Sequence, residues 1–132
     1  MKIERFEDLE IWKEARELNI FIRDVTNEEP FCKDYKFRDQ FRSSAGSIMD
    51  KIAEGFERDG RKEFIQFLSV AKGSCGEARS QSYRAFDYGY ILSVKLDDFL
   101  ERTVRLSKKI SRLISYLKST ELKGTKFKNL ET

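Results

Sequence analysis

Enzymes draw on a short list of reactive side chains, and one of them is missing here. The 132 residues contain no histidine, which removes serine and cysteine hydrolases with a His base, HExxH zinc peptidases and di-iron bundles built on Glu-x-x-His. Cys32 and Cys75 are far apart with no CxxC spacing, so both read as reduced thiols, Cys75 as a buried one, and neither as a disulfide or metal ligand. Carboxylates offer the remaining route. Asp50 and Glu54 lie four residues apart, and Glu63 and Glu77 two heptads apart, so inward-facing acids could gather a metal. Without an imidazole, pairing of Glu54 and Glu77 with Arg42, Arg58 or Arg79 is the stronger expectation. No catalytic residue, metal or cofactor is expected, and the chain reads as a non-enzyme.

Lys72-Gly73-Ser74-Cys75-Gly76-Glu77-Ala78 is the least ordinary stretch. Two glycines inside a helical run cost about 1 kcal/mol each relative to alanine. A phosphate-binding turn would explain them, but the GxxxxGK[ST] order and its preceding strand are absent, and Gly73-Ser74-Cys75-Gly76 is not a GxSxG elbow. A second small-residue run, Ser43-Ser44-Ala45-Gly46-Ser47, makes close approach of two helix backbones the expected reason.

Cations supply the other chemistry. Arg102, Arg105, Lys109 and Arg112 step by three, four and three residues, which places four positive groups along about 15 Å of one helical face. With Lys108, Lys118 and the lysines at 123, 126 and 128, they make a basic stripe able to neutralise phosphates along RNA. The net charge of +3 conceals an asymmetry: residues 1–30 hold 5 basic and 9 acidic groups, residues 91–132 hold 10 and 5. The basic end either meets the acidic start within the fold or faces a separate partner.

Long helices must carry these groups, because a single proline, Pro30, leaves the backbone few breaks. Phe6, Leu9, Trp12, Ala15, Leu18, Ile22 and Val25 recur at helical spacing and mark a first helix from Phe6 to about Asn27, closed by Asn27-Glu28-Glu29-Pro30. Asp34 is placed to cap a second, whose buried face is Phe37, Phe41, Ala45, Ile48 and Ile52 and whose stop is Gly55. Phe64 leads the stripe of a third, with Glu63 near the positive end of its dipole and Gly89 after its close at about Tyr88. Ser93 can cap a fourth, with Leu96, Phe99, Thr103, Leu106, Ile110, Leu113 and Leu117 as its seam. Short links between long amphipathic helices predict an all-α, antiparallel up-down-up-down four-helix bundle over residues 1–120. Residues 121–132 read as a flexible basic tail.

The first eight residues are already acidic and contain no apolar run, so no signal or transit peptide is read there. No stretch reaches the eighteen or so uncharged apolar residues of a membrane helix. A cytoplasmic protein with no membrane partner is expected.

Taken together, Phe6-Glu7-Asp8-Leu9-Glu10-Ile11-Trp12-Lys13-Glu14-Ala15, Gln40-Phe41-Arg42-Ser43-Ser44-Ala45-Gly46-Ser47-Ile48, Ile52-Ala53-Glu54-Gly55 and Glu63-Phe64-Ile65-Gln66-Phe67-Leu68-Ser69-Val70-Ala71-Lys72-Gly73-Ser74 resemble the bacterial four-helix-bundle family of 23S rRNA intervening-sequence proteins (S23-type). The likeness spans about residues 6–117. It implies a bundle that assembles into a homo-oligomeric ring, typically a pentamer, with a molecular function largely unassigned. The family is similar in fold to the accessory variability protein of diversity-generating retroelements, a basic pentamer that associates with reverse transcriptase and nucleic acid. An RNA or nucleoprotein partner is thereby implied, the alternative being a purely structural oligomer. Trp12, Arg42, Glu54, Gly55, Glu63, Phe64, Gly73 and Glu77 carry over as fold or interface residues. The sequence departs from the family pattern at Lys51, where Asn is usual, at Ser43, where a second Arg is common, at Ala78, where a larger apolar residue is usual, and at Gly60, where Ser or Thr commonly caps.

Overall fold

A computed structural model of the chain describes residues 2–121; of the tail expected over residues 121–132, Glu121 ends the last helix and the rest lies outside the described residues. Four helices account for most of these residues, with no strand among them: α1 (Glu10–Thr26), α2 (Tyr35–Glu57), α3 (Arg61–Asp87) and α4 (Ser93–Glu121). Their apolar faces close on one core, in which Phe31, Phe41, Phe64 and Phe99 are among the largest fully buried side chains. Each such residue contributes about 1.5–3 kcal/mol through burial. All seven seam positions expected on the fourth helix are buried.

The first helix starts later than the periodicity suggests. Phe6–Asp8 form a 3-10 turn, in which the Asp8 carboxylate accepts the backbone N–H groups of Glu4 and Arg5, each at 3.1 Å. Leu9 is extended, and the break lets both Ile3 and Leu9 enter the core. Ile11, rather than Trp12, faces fully inward; Trp12 is half-buried against the edge of Phe6.

Asp34 caps α2 as its chemistry demands, with Oδ1 accepting the Phe37 N–H at 3.3 Å. Its other oxygen accepts the Tyr90 hydroxyl at 2.8 Å, fastening the α3–α4 link beside the start of α2. Gly55 does not stop this helix, which continues to Glu57. A Cβ there would lie 2.5 Å from the Phe67 Cβ, so the glycine is required by close approach of α3. After α3, Gly89 does turn the chain, with φ of 78°. At α4, Ser93 is already helical and the Leu92 carbonyl opens the ladder, accepting from Lys95 and Leu96.

The two small-residue runs do meet, Ser74 Oγ donating to Ser47 Oγ at 3.0 Å, while farther along Arg84 reaches the Gln40 side chain at 3.3 Å. Yet the α3 glycines do not cause the meeting. A Cβ at Gly73 or Gly76 would touch no described residue within 4 Å, and both glycines are exposed. The close approach expected there occurs at Gly55 instead.

Candidate nucleic-acid interface

The inward seam of α4 fixes its rotation and sends Arg102, Arg105, Lys109 and Arg112 to one flank. That flank lies against α1. Arg105 Nε is 3.3 Å from Glu14 Oε1, with Glu101 on its own helix at 4.0 Å. Lys109 Nζ donates to the carboxylates of both Glu10 and Glu14, and its side chain is 22% exposed. Arg102 pairs with Asp98 at 3.0 Å and stands 5.3 Å from the centre of the Phe21 ring.

Protonation follows this geometry. Hydrogen bonding to Lys109 is the chief reason that the Glu10 carboxyl sits below its ordinary value of 4.5, and the nearby charge of Arg112 adds to it. The Lys109 ammonium is correspondingly raised above 10.5, first by the hydrogen bond to Glu10 and then by that to Glu14. Both partners therefore keep their charges through the neutral range.

The basic stripe is thus divided. Arg105 and Lys109 face carboxylates of the same chain, whereas Lys108, Arg112 and Lys118 are exposed and form no ion pair with a described residue. These three remain able to meet an external anion.

The residues carried over by resemblance serve the fold in different ways. Arg42 ties α2 to the end of α1, its Nε donating to Thr26 Oγ1 and a terminal nitrogen to Asn27 Oδ1, both at 2.8 Å. Glu54 pairs along its own helix with Lys51 at 3.4 Å and Arg58 at 3.5 Å. Phe64 is fully buried against the edge of Phe56, and the Glu63 carboxylate folds back over Gly60 at the start of α3. Glu77 makes no ion pair with a described residue and lines a cleft between α2 and α3. No group of three or more acidic or cysteine side chains among the described residues is arranged to hold a metal ion.

Several structural residues escaped the apolar pattern. Asn19 Nδ2 bridges the carbonyls of Ala15 and Ala45, at 3.0 and 2.9 Å, and so links α1 to α2. Gln81 and Ser82 are buried within α3. A signal for Gln81 was present: it falls three residues after Ala78 and four before Ala85, inside the buried stripe.

A crystal structure of a protein of unknown function from the S23 ribosomal protein family of Bacteroides thetaiotaomicron VPI-5482 has the same fold, with a TM-score of 0.75 at 18% identity over 82% of this chain and 97% of that one. No curated protein matches. The family model described as 23S rRNA-intervening sequence protein matches residues 7–112, from just before α1 through most of α4, and the chain belongs to that family.

Proposed function

We propose that this protein is a non-enzymatic, self-assembling scaffold: an up-down-up-down antiparallel bundle whose α3 outer face packs against another copy in a ring, a pentamer by family resemblance. The opposite order of the Ser47–Ser74 and Gln40–Arg84 pairs supports the antiparallel course of α2 and α3. The observation that carries the assembly is the pair Gly73 and Gly76. Each weakens α3, and nothing among the described residues requires either. They continue an exposed line of small residues, Ser69, Gly73, Gly76 and Ser80, at alternating steps of four and three. Val70 and Tyr83 stand beside it, 47% and 50% exposed. Such a surface admits a second helix at short interaxial distance.

Light scattering on the intact chain tests this. A mass of several subunits that falls to one on Gly73→Gln with Gly76→Gln supports the scaffold; a monomeric parent overturns it.

A second reading, an RNA or nucleoprotein partner, rests on Lys108, Arg112 and Lys118, whose charges no described carboxylate pairs with. RNA retained by the purified protein, and released by salt, would support it.

A further inference from the structure

We propose that the groove between α1 and α2 docks an acidic amphipathic helix of a partner protein. Arg16, Asn19, Ile20, Ile22 and Arg23 line it from α1 and Arg42 from α2, around a volume of about 300 Å³. Every charged group among these described lining residues is a guanidinium. The rotation of α1 sorts its charges: with Ile11, Ala15, Leu18 and Ile22 inward, Glu10 and Glu14 turn toward α4, while Arg16 and Arg23 take the opposite flank. Little among the described residues neutralises these cations. Arg42 is held by the neutral oxygens of Thr26 and Asn27, both at 2.8 Å, and Arg16 stands 5.9 Å from the centre of the Trp12 ring without an ion pair to a described residue. Arg23 meets Asp24 at 3.3 Å, but the two side chains are 66% and 61% exposed, and such a surface pair exchanges readily for another.

The apolar part of the lining decides the kind of anion. Ile20, between Arg16 and Arg23 in sequence, is 46% exposed, and Ile22 is buried beneath. Phosphates of RNA would satisfy the arginines but leave the isoleucine uncovered, and none of the described lining residues is aromatic, so a base would find no ring to stack on. A helix with carboxylates and an aliphatic residue on one face meets both demands. Arg16 and Arg23 are seven residues apart, two turns or about 10 Å along α1, which matches carboxylates at i and i+7 of a helix laid beside it. An aliphatic side chain at i+3 or i+4 then falls on Ile20. Each guanidinium can take its carboxylate through two parallel hydrogen bonds, which fixes register. The groove is lined by α1 and α2 alone, so this inference does not depend on assembly through α3.

Fluorescence anisotropy on the intact chain tests the assignment, with a labelled synthetic helix of several heptads that carries glutamate at every seventh position and leucine three residues after each glutamate. The peptide should bind saturably, and replacing its glutamates by glutamine, or its leucines by serine, should weaken binding about tenfold or more. Arg16→Gln with Arg23→Gln, and Ile20→Ser separately, should have the same effect; all three positions are exposed, so the fold tolerates the changes. Arg16→Glu with Arg23→Glu should reject the glutamate peptide and accept its lysine counterpart, a reversal that loss of structure would not produce. Absence of saturable binding up to about 1 mM peptide, equal binding of the glutamine or serine peptide, or unchanged binding by the variants would overturn the proposal. So would tighter binding of a short oligouridylate that is lost on the same arginine substitutions, since the groove would then be an RNA site.

Discussion

Arg105 on α4 and Glu14 on α1 meet with Nε and Oε1 3.3 Å apart, and Lys109, one turn farther along α4, donates to the same carboxylate. Glu14 is thereby held between two cations, with 16% of its side chain exposed. The basic late part of the sequence and its acidic start are joined inside one molecule. Partial burial reduces the screening that weakens most surface ion pairs.

Lys109→Ala should destabilise the fold by about 1–2 kcal/mol, because it removes two charge-assisted hydrogen bonds and leaves Glu10 and Glu14 to repel. A double-mutant cycle with Glu14→Gln, followed by urea denaturation, should give a coupling of about 1 kcal/mol. Zero coupling would show that the pair adds nothing.

Stability should form a plateau across neutral pH. The lowered Glu10 gives stabilisation that is present above its ordinary value of 4.5 and lost as pH falls through its folded value. Asp8, lowered first by the backbone N–H of Glu4 and then by that of Arg5, acts in the same direction. The raised Lys109 gives stabilisation that is full below 10.5 and lost as pH rises through its folded value. Thermal melts across pH should show Glu10→Gln flattening the acid limb and Lys109→Met the alkaline one.

The glycines should respond in opposite directions. Gly55→Ala brings a Cβ to 2.5 Å from that of Phe67 and should cost about 1–3 kcal/mol by overpacking. Gly73→Ala and Gly76→Ala meet no described atom within 4 Å, and within one chain each should stabilise α3 by about 0.5–1 kcal/mol. Comparing melting temperature with molecular mass separates the effect on the chain from that on assembly.

Charge reversal should divide the basic residues into two classes. Lys108→Glu, Arg112→Glu and Lys118→Glu together should abolish RNA retention in a gel shift while leaving the melting temperature within a few degrees. Reversal of Arg105 and Lys109 should instead lower the melting temperature, since Glu10 and Glu14 face those two. If three phosphate contacts form, the affinity should fall with salt at a logarithmic slope of about −2 per subunit. Equal retention by the triple variant and the parent would remove the nucleic-acid reading.

The thiols should differ in reactivity. Burial pushes the Cys75 thiol up to about 11, and its S–H donates to the Thr103 carbonyl at 3.3 Å; Cys32 is half-buried. Labelling of native protein at pH 8 should modify Cys32 first, and Cys75 only at the rate of unfolding. Equal rates would contradict the buried placement.

Periodicity alone was enough to place the four helices, because a helix in a small domain must bury one stripe and the stripe is written directly in residue spacing. Leu96 through Leu117, the Asp34 cap and the Gly89 turn were all legible in this way. Spacing also put Arg102, Arg105, Lys109 and Arg112 on one flank of α4. It left open what that flank meets. Only the packing of α4 beside α1 brought Glu10 and Glu14 to Arg105 and Lys109, since a pairing across some ninety residues of chain depends on where helices lie rather than on local pattern. The same limit governs the glycines: the sequence showed that Gly73 and Gly76 weaken a helix and offered Gly55 as a helix stop, but only the tertiary structure set Gly55 inside α2 against Phe67 and left the other two facing outward.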